Sequence, residues 1–182
     1  NSDFTRAYLV RSNLSGCTLR GAKLDFADLS SVDLRNSDLN GVIFANVHLI
    51  NADLSGADLA GSYYNSMNLK GTSWHKASLK SSEMVRMVFS DVDFSGADLK
   101  NARFSESFMN NLNFSGADLR GAIIEKTAFE KCDFSGANLE GIKYDDIALQ
   151  FFSISNLQGA KMSMDLQKGL EKLRSAQIPQ PS

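Results

Sequence analysis

Every fifth residue from Phe4 to Ile154 is Leu, Ile, Met or an aromatic, thirty-one positions in phase without one insertion. A chain that is 43% hydrophobic does not reach this by chance. A period of five fits neither a helix at 3.6 residues nor a plain strand at 2. It fits a backbone that turns a corner every five residues, so that four corners close a square coil of twenty. The large residue, called the centre here, points inward in this reading.

Other positions agree. Two before the centre stands a small residue, as in Ala52, Ala57, Ala97, Ala102, Ala117, Ala122 and Ala137. Between the two is often Asp or Asn, as in Asp53, Asp98 and Asn138. Gly frequently lies two after the centre, as in Gly56, Gly96, Gly116 and Gly136, where a turn needs positive φ. The repeated aspartates are read as bonding to nearby backbone at the corners. Repeats of this kind stack neighbours into one continuous core.

Sorted by twenty, the centres form four columns, one per wall. Wall one holds Phe4, Leu24, Phe44, Tyr64, Met84, Phe104, Ile124 and Tyr144. Wall two holds Leu9, Leu29, Leu49, Leu69, Phe89, Met109, Phe129 and Leu149. Wall three holds Leu14, Leu34, Leu54, Trp74, Phe94, Phe114, Phe134 and Ile154. Wall four is seven leucines, Leu19 to Leu139. At a spacing of ~4.8 Å the stack makes a rod roughly 37 Å long. Each buried Leu contributes about 2 kcal/mol of transfer free energy, so the core needs no disulfide.

The small residue, Asp or Asn, Leu or Phe, and two variable positions resemble the motif of the pentapeptide repeat family, over residues 2 to 154. That resemblance implies an all-β fold, a right-handed parallel quadrilateral β-helix (a β-solenoid). The reading expects nearly eight coils with a short C-terminal capping helix. It places the repeat at 1–156, a cap with one α-helix at 157–175 and a disordered tail at 176–182. Within the cap, Leu166, Leu170 and Leu173 fall at i, i+4 and i+7, Ser163 is a plausible N-cap and Pro179 and Pro181 end any helix. This helix is expected to cover the last coil; as in topoisomerase-inhibiting members of the family, it could also make a homodimer contact. The chain starts at Asn1 inside a repeat, so upstream sequence or a partner is expected over that end.

No catalytic constellation stands out: there is no GxxxxGK[ST], GxSxG, HExxH or CxxC. No enzyme activity, cofactor or metal is expected. His48 and His75 lie outward on different walls. Cys17 and Cys132 are read as inward fillers about six coils apart, ~28 Å by strand spacing and too far to bridge. The 19 basic and 21 acidic residues nearly cancel, which excludes a strongly basic nucleic-acid binder. No apolar run is long enough to span a membrane. The expected location is the cytoplasm, with secretion or an organelle as alternatives.

Large apolar residues at outward positions fall on walls one and two alone. Phe26, Ile43, Tyr63, Val85 and Ile123 lie on wall one, and Tyr8, Val10, Ile50, Val88, Phe108 and Phe151 on wall two. Such a patch marks a contact surface, unless these walls use looser turns and the side chains cover their neighbours. The reading expects a non-enzymatic scaffold that binds a protein through Phe26, Ile43, Tyr63, Val85, Val88 and Phe108. The family resemblance supplies an alternative, a DNA-mimicking type II topoisomerase (gyrase) inhibitor conferring quinolone or toxin resistance. That role needs a wall of one sign. Wall three, with Asp33, Asp53, Asp93 and Asp133 against Arg35 and Lys76, is only weakly anionic.

Overall fold

The computed structural model describes residues 2–177. Each coil lies one register step of twenty above the last. Asp33 pairs with Asp53 and Ile43 with Tyr63, always parallel. Seven steps of twenty lead from Asp3 to Lys143, and six of them are paired on this wall.

The corners explain the period. Every fifth residue from Arg6 to Gly141 has positive φ, between 49° and 69°, twenty-eight corners in succession. Only eleven of these are glycine. The other seventeen carry a side chain in a conformation that costs on the order of 1 kcal/mol each.

Corners are made in two ways. On walls three and four every Asp or Asn before the centre accepts, through Oδ1, the backbone N–H of the residue after the centre. Ser55 donates to Asp53 at 3.0 Å, Ser95 to Asp93 at 2.9 Å and Arg120 to Asp118 at 3.2 Å. The expected aspartate–backbone bonds are therefore present. From Ile43 on wall one and Asn68 on wall two, the corner opens into a three-residue strand. The strands starting at Tyr63, Glu83, Arg103 and Ile123 complete wall one, with Lys143–Tyr144 at its end. Those starting at Val88, Phe108 and Ala128 complete wall two. β-branched and aromatic residues before the centre suit an extended backbone.

The core is a set of ladders. All wall-four leucines from Leu19 to Leu139 are buried. The aromatics of wall three stack face to face, Phe94 on Phe114 at 5.1 Å and Phe114 on Phe134 at 4.9 Å. Trp74 lies 5.6 Å from Phe94 and 5.4 Å from Tyr64. The Tyr64 hydroxyl, wholly buried, accepts from Ser62 Oγ at 2.9 Å, and burial raises its pKa.

Four expectations need correction. The square path is interrupted after Tyr144, where residues 146–153 form a helix, α1 (Asp146–Ser153), and it resumes three residues out of phase, with Asp133 paired to Asn156 and Leu139 to Met162 in parallel around a corner at Gly159 whose φ is +69°. Asp145 caps it, accepting the Ala148 N–H at 2.9 Å, and Ala148 and Phe152 supply its buried face. Leu149 is therefore a helical residue and Ile154 is 69% exposed. The cap accordingly has two helices, α1 and α2 (Met164–Gln177). Cys17, in the first described coil, is exposed, while Cys132, between two coils, is buried. Phe4, Leu9 and Leu14 are likewise only partly buried. The expected tail falls mostly outside the described residues, and α2 includes 176 and 177.

Candidate protein-binding face

Walls one and two differ from walls three and four in what their outward rows carry. Phe26 is 57% exposed, Ile43 58%, Val88 44% and Phe108 39%. Tyr63 and Val85, the other two expected contact residues, are half-buried, as are Val10 and Ile123. The strand-type corner flattens these walls, so neighbours in a row cover one another. Part of the apolar dressing is thus structural. The exposed part is not: Tyr8 and Ile50 join Phe26, Ile43, Val88 and Phe108 in presenting apolar surface to solvent.

The parallel register brings some of these residues together. Ile43 is paired with Tyr63 across one step, and Val88 with Phe108. Phe26 stands apart at a corner, with Arg6 from the coil below over its ring at 5.9 Å. Its φ of +60° is one a bulky side chain seldom adopts. The whole column between walls one and two avoids glycine: Arg6, Phe26, Asn46, Ser66, Arg86, Glu106 and Lys126 all have positive φ. The column between walls three and four holds Gly16, Gly56, Gly96, Gly116 and Gly136. The column between walls two and three holds one glycine, Gly71, so both edges of wall two keep side chains at positions where glycine relieves strain. Composition alone hides this; the signal lies in reading the corner position column by column.

A groove of about 550 Å³ opens beside this edge, lined by Phe26, Asn46, His48, Ile50 and Asn68 among others. A second, of about 470 Å³, lies on wall one around Lys23, Asp25, Gly41 and Ile43.

Walls three and four are charged, and part of that charge is paired within them. Arg35 donates to Asp33 through Nε and Nη2 at 2.9 and 2.6 Å, which holds that carboxyl down at about 2. Lys80, Lys100 and Arg120 bridge Asp98 and Asp118 at 2.7–3.3 Å. The Arg120 bonds hold Asp118 well below the usual carboxylate range. His75 is half-buried with Nδ1 2.7 Å from Ser95 Oγ, and His48 is exposed. Among the described residues no group of His, Cys, Asp and Glu is arranged to hold a metal ion, and no helix is long and apolar enough to cross a membrane.

At the far end, Leu166 and Leu170 are buried and Leu173 is half-buried. Ser163 Oγ accepts the Leu166 N–H at 3.4 Å, as an N-cap does. Helix α2 packs on α1, and Gly169 allows the approach of Leu149. This apolar stripe faces its own chain.

The family model for pentapeptide repeats matches residues 1–36, 27–63, 75–111, 97–136 and 113–143, in eight copies. The chain belongs to the pentapeptide repeat family. Among solved structures it is similar to HetL, a pentapeptide repeat protein involved in heterocyst differentiation regulation from the cyanobacterium Nostoc. The two are 22% identical over 87% of this chain and 84% of that one, with a TM-score of 0.42. It is similar to QnrB1, a plasmid-mediated fluoroquinolone resistance protein, at 13% identity over 94% and 99%, TM-score 0.42. A pentapeptide repeat protein from the Arabidopsis thaliana thylakoid lumen matches at 25% identity over 57% and 75%, TM-score 0.36. No curated protein matches the chain.

Proposed function

We propose that this pentapeptide repeat protein is a non-enzymatic scaffold that holds a protein partner against walls one and two. The observation that carries the reading is the one-sided distribution of exposed apolar side chains. Phe26, Ile43, Val88 and Phe108 stand on two adjacent walls, while walls three and four are dressed in aspartates bound to their own backbone. Exposed apolar patches rimmed by polar residues are contact surfaces, and buried aromatic anchors dominate interface energetics. The strained, glycine-free edge supports the same face: Phe26 keeps its ring where glycine relieves the backbone.

The DNA-mimic alternative has less support. Its target surface expects uncompensated phosphate-like charge, and Asp33, Asp98 and Asp118 are paired with Arg35, Lys100 and Arg120. The double substitution Phe26→Asp and Phe108→Asp is expected to leave the melting temperature within a few degrees and to abolish partner capture. Unfolding of this variant makes the residues structural and ends the reading. Inhibition of gyrase supercoiling by the purified protein reverses the order of the two.

A further inference from the structure

The change of corner type has a mechanical result. Below the change, wall one is bonded normally: Phe4 donates to Lys23 O at 2.8 Å and Lys23 to Ser2 O at 3.0 Å. One step up, the two corresponding bonds, Leu24 N–H to Ile43 O and Ile43 N–H to Ala22 O, are not formed. No bridge joins Lys23 to Ile43, and Phe26 N reaches Ala45 O only at 3.4 Å. Wall two repeats the pattern one coil later. Leu29 donates to His48 O and His48 to Ala27 O, but Leu49 and Asn68 make no corresponding bond to each other's coil. Above, Val88 N–H to Met67 O restores the ladder at 2.9 Å.

Each gap falls where a tight corner lies under a strand-type one: Lys23 under Ile43, and His48 under Asn68. The two backbones differ in shape at the same height, so their N–H and C=O groups do not meet. The two grooves described above sit on these two gaps. Walls three and four show no interruption there. Leu34 N–H reaches Asp53 O at 2.8 Å, and Leu54 N–H reaches Ser73 O at 2.8 Å.

We infer that these two gaps form a single oblique seam, along which the rod bends. Walls three and four act as the hinge side, and the edge at Phe26 and Asn46 opens. Two adjacent walls short of bonds at neighbouring heights, where Phe26 N–H to Ala45 O at 3.4 Å and Asn51 N–H to Lys70 O at 2.8 Å remain, with the opposite two continuous, leave one direction of easy motion. The mouth of that opening is lined by Phe26, Ile43 and Ile50, so bending enlarges apolar surface on the outside of the rod. The inference rests on backbone bonding and stands whether or not the partner reading holds.

Amide hydrogen exchange on the full chain tests it. Free amides exchange quickly in any case, so the informative ones are bonded amides beside the seam, His48 (to Ala27 O) and Tyr63 (to Val42 O). Their protection factors are expected to be at least tenfold lower than those of Val88 and Phe108, which make the same kind of bond farther up. Protection at His48 and Tyr63 equal to that at Val88 and Phe108 overturns the hinge. A variant tests the cause. Ile43→Asp gives the Ala45 N–H a local acceptor and makes that corner match the one below. The Leu24 amide is then expected to gain at least tenfold in protection. A folded variant in which Leu24 stays unprotected shows that corner mismatch does not set the seam. If the variant does not fold, the wild-type comparison decides alone.

Discussion

At the scale of single residues, one backbone conformation repeated at twenty-eight corners controls what the side chains can do. Seventeen corners hold it without glycine, and Phe26 is the bulkiest of them. Phe26→Gly is therefore expected to raise stability by about 1 kcal/mol, read as a higher melting temperature, while lowering partner affinity. A loss of stability means instead that the ring packs. The paired carboxylates behave as local fixtures. Arg35→Ala should return the Asp33 carboxyl from about 2 toward its ordinary 3.8, followed by NMR titration of Asp33. The two thiols separate cleanly. Burial pushes the Cys132 thiol up to about 11, whereas Cys17 is exposed. A thiol reagent at neutral pH should label Cys17 alone until the protein is unfolded. Because the folded state favours the neutral Cys132 thiol, that residue's contribution to stability falls as pH rises from about 9 toward 11. The sequence showed that both cysteines occupy inward positions. It could not show that Cys17 is exposed, since burial there depends on a neighbour rather than on the residue.

At the scale of elements, the five-residue pattern was legible because each repeat states its own geometry: a centre, a small inward partner and a turn residue. The same pattern misled at its end. Leu149 and Ile154 keep the phase, yet Asp145 caps a helix whose buried Ala148 and Phe152 follow a four-residue spacing. Two periodicities overlap there, and the helix takes the segment with Asp145 as its cap and Ala148 and Phe152 as its buried face. The corner types were only half legible. Asp before the centre announces a tight corner, but the consequence of switching type between coils is a matter of stacking, which one repeat cannot reveal. The cap makes its own prediction. Leu166 is fully buried, so Leu166→Ala should cost about 2–5 kcal/mol and release α2, seen as lost helical circular dichroism. The bared last coil presents an unpaired edge, and light scattering should then show aggregation. An unchanged signal means that α2 does not hold the end of the rod.

For the whole molecule, the four walls divide the work. Wall four is a leucine ladder, wall three an aromatic stack, and both are sealed outside by aspartates that bond their own backbone, part of them paired with arginines and lysines. Walls one and two carry the three-residue strands, the exposed apolar side chains of the coils, the glycine-free edge between them and the two gaps. Ile43, Tyr63, Val88, Phe108 and Ile123 belong to two of these at once, standing before the centre in strand-type corners with their side chains outward. Fold was therefore readable from the repeat alone, while the site was readable only as an asymmetry between walls. The most direct test places a photo-crosslinking residue on each wall of the central coils in turn, at Arg103, Val88, Ser95 and Lys80, and exposes the protein to an extract of its native cells. Adducts of one defined partner should form from the Arg103 and Val88 positions and not from Ser95 or Lys80. Equal labelling from all four walls, or labelling confined to walls three and four, contradicts the account.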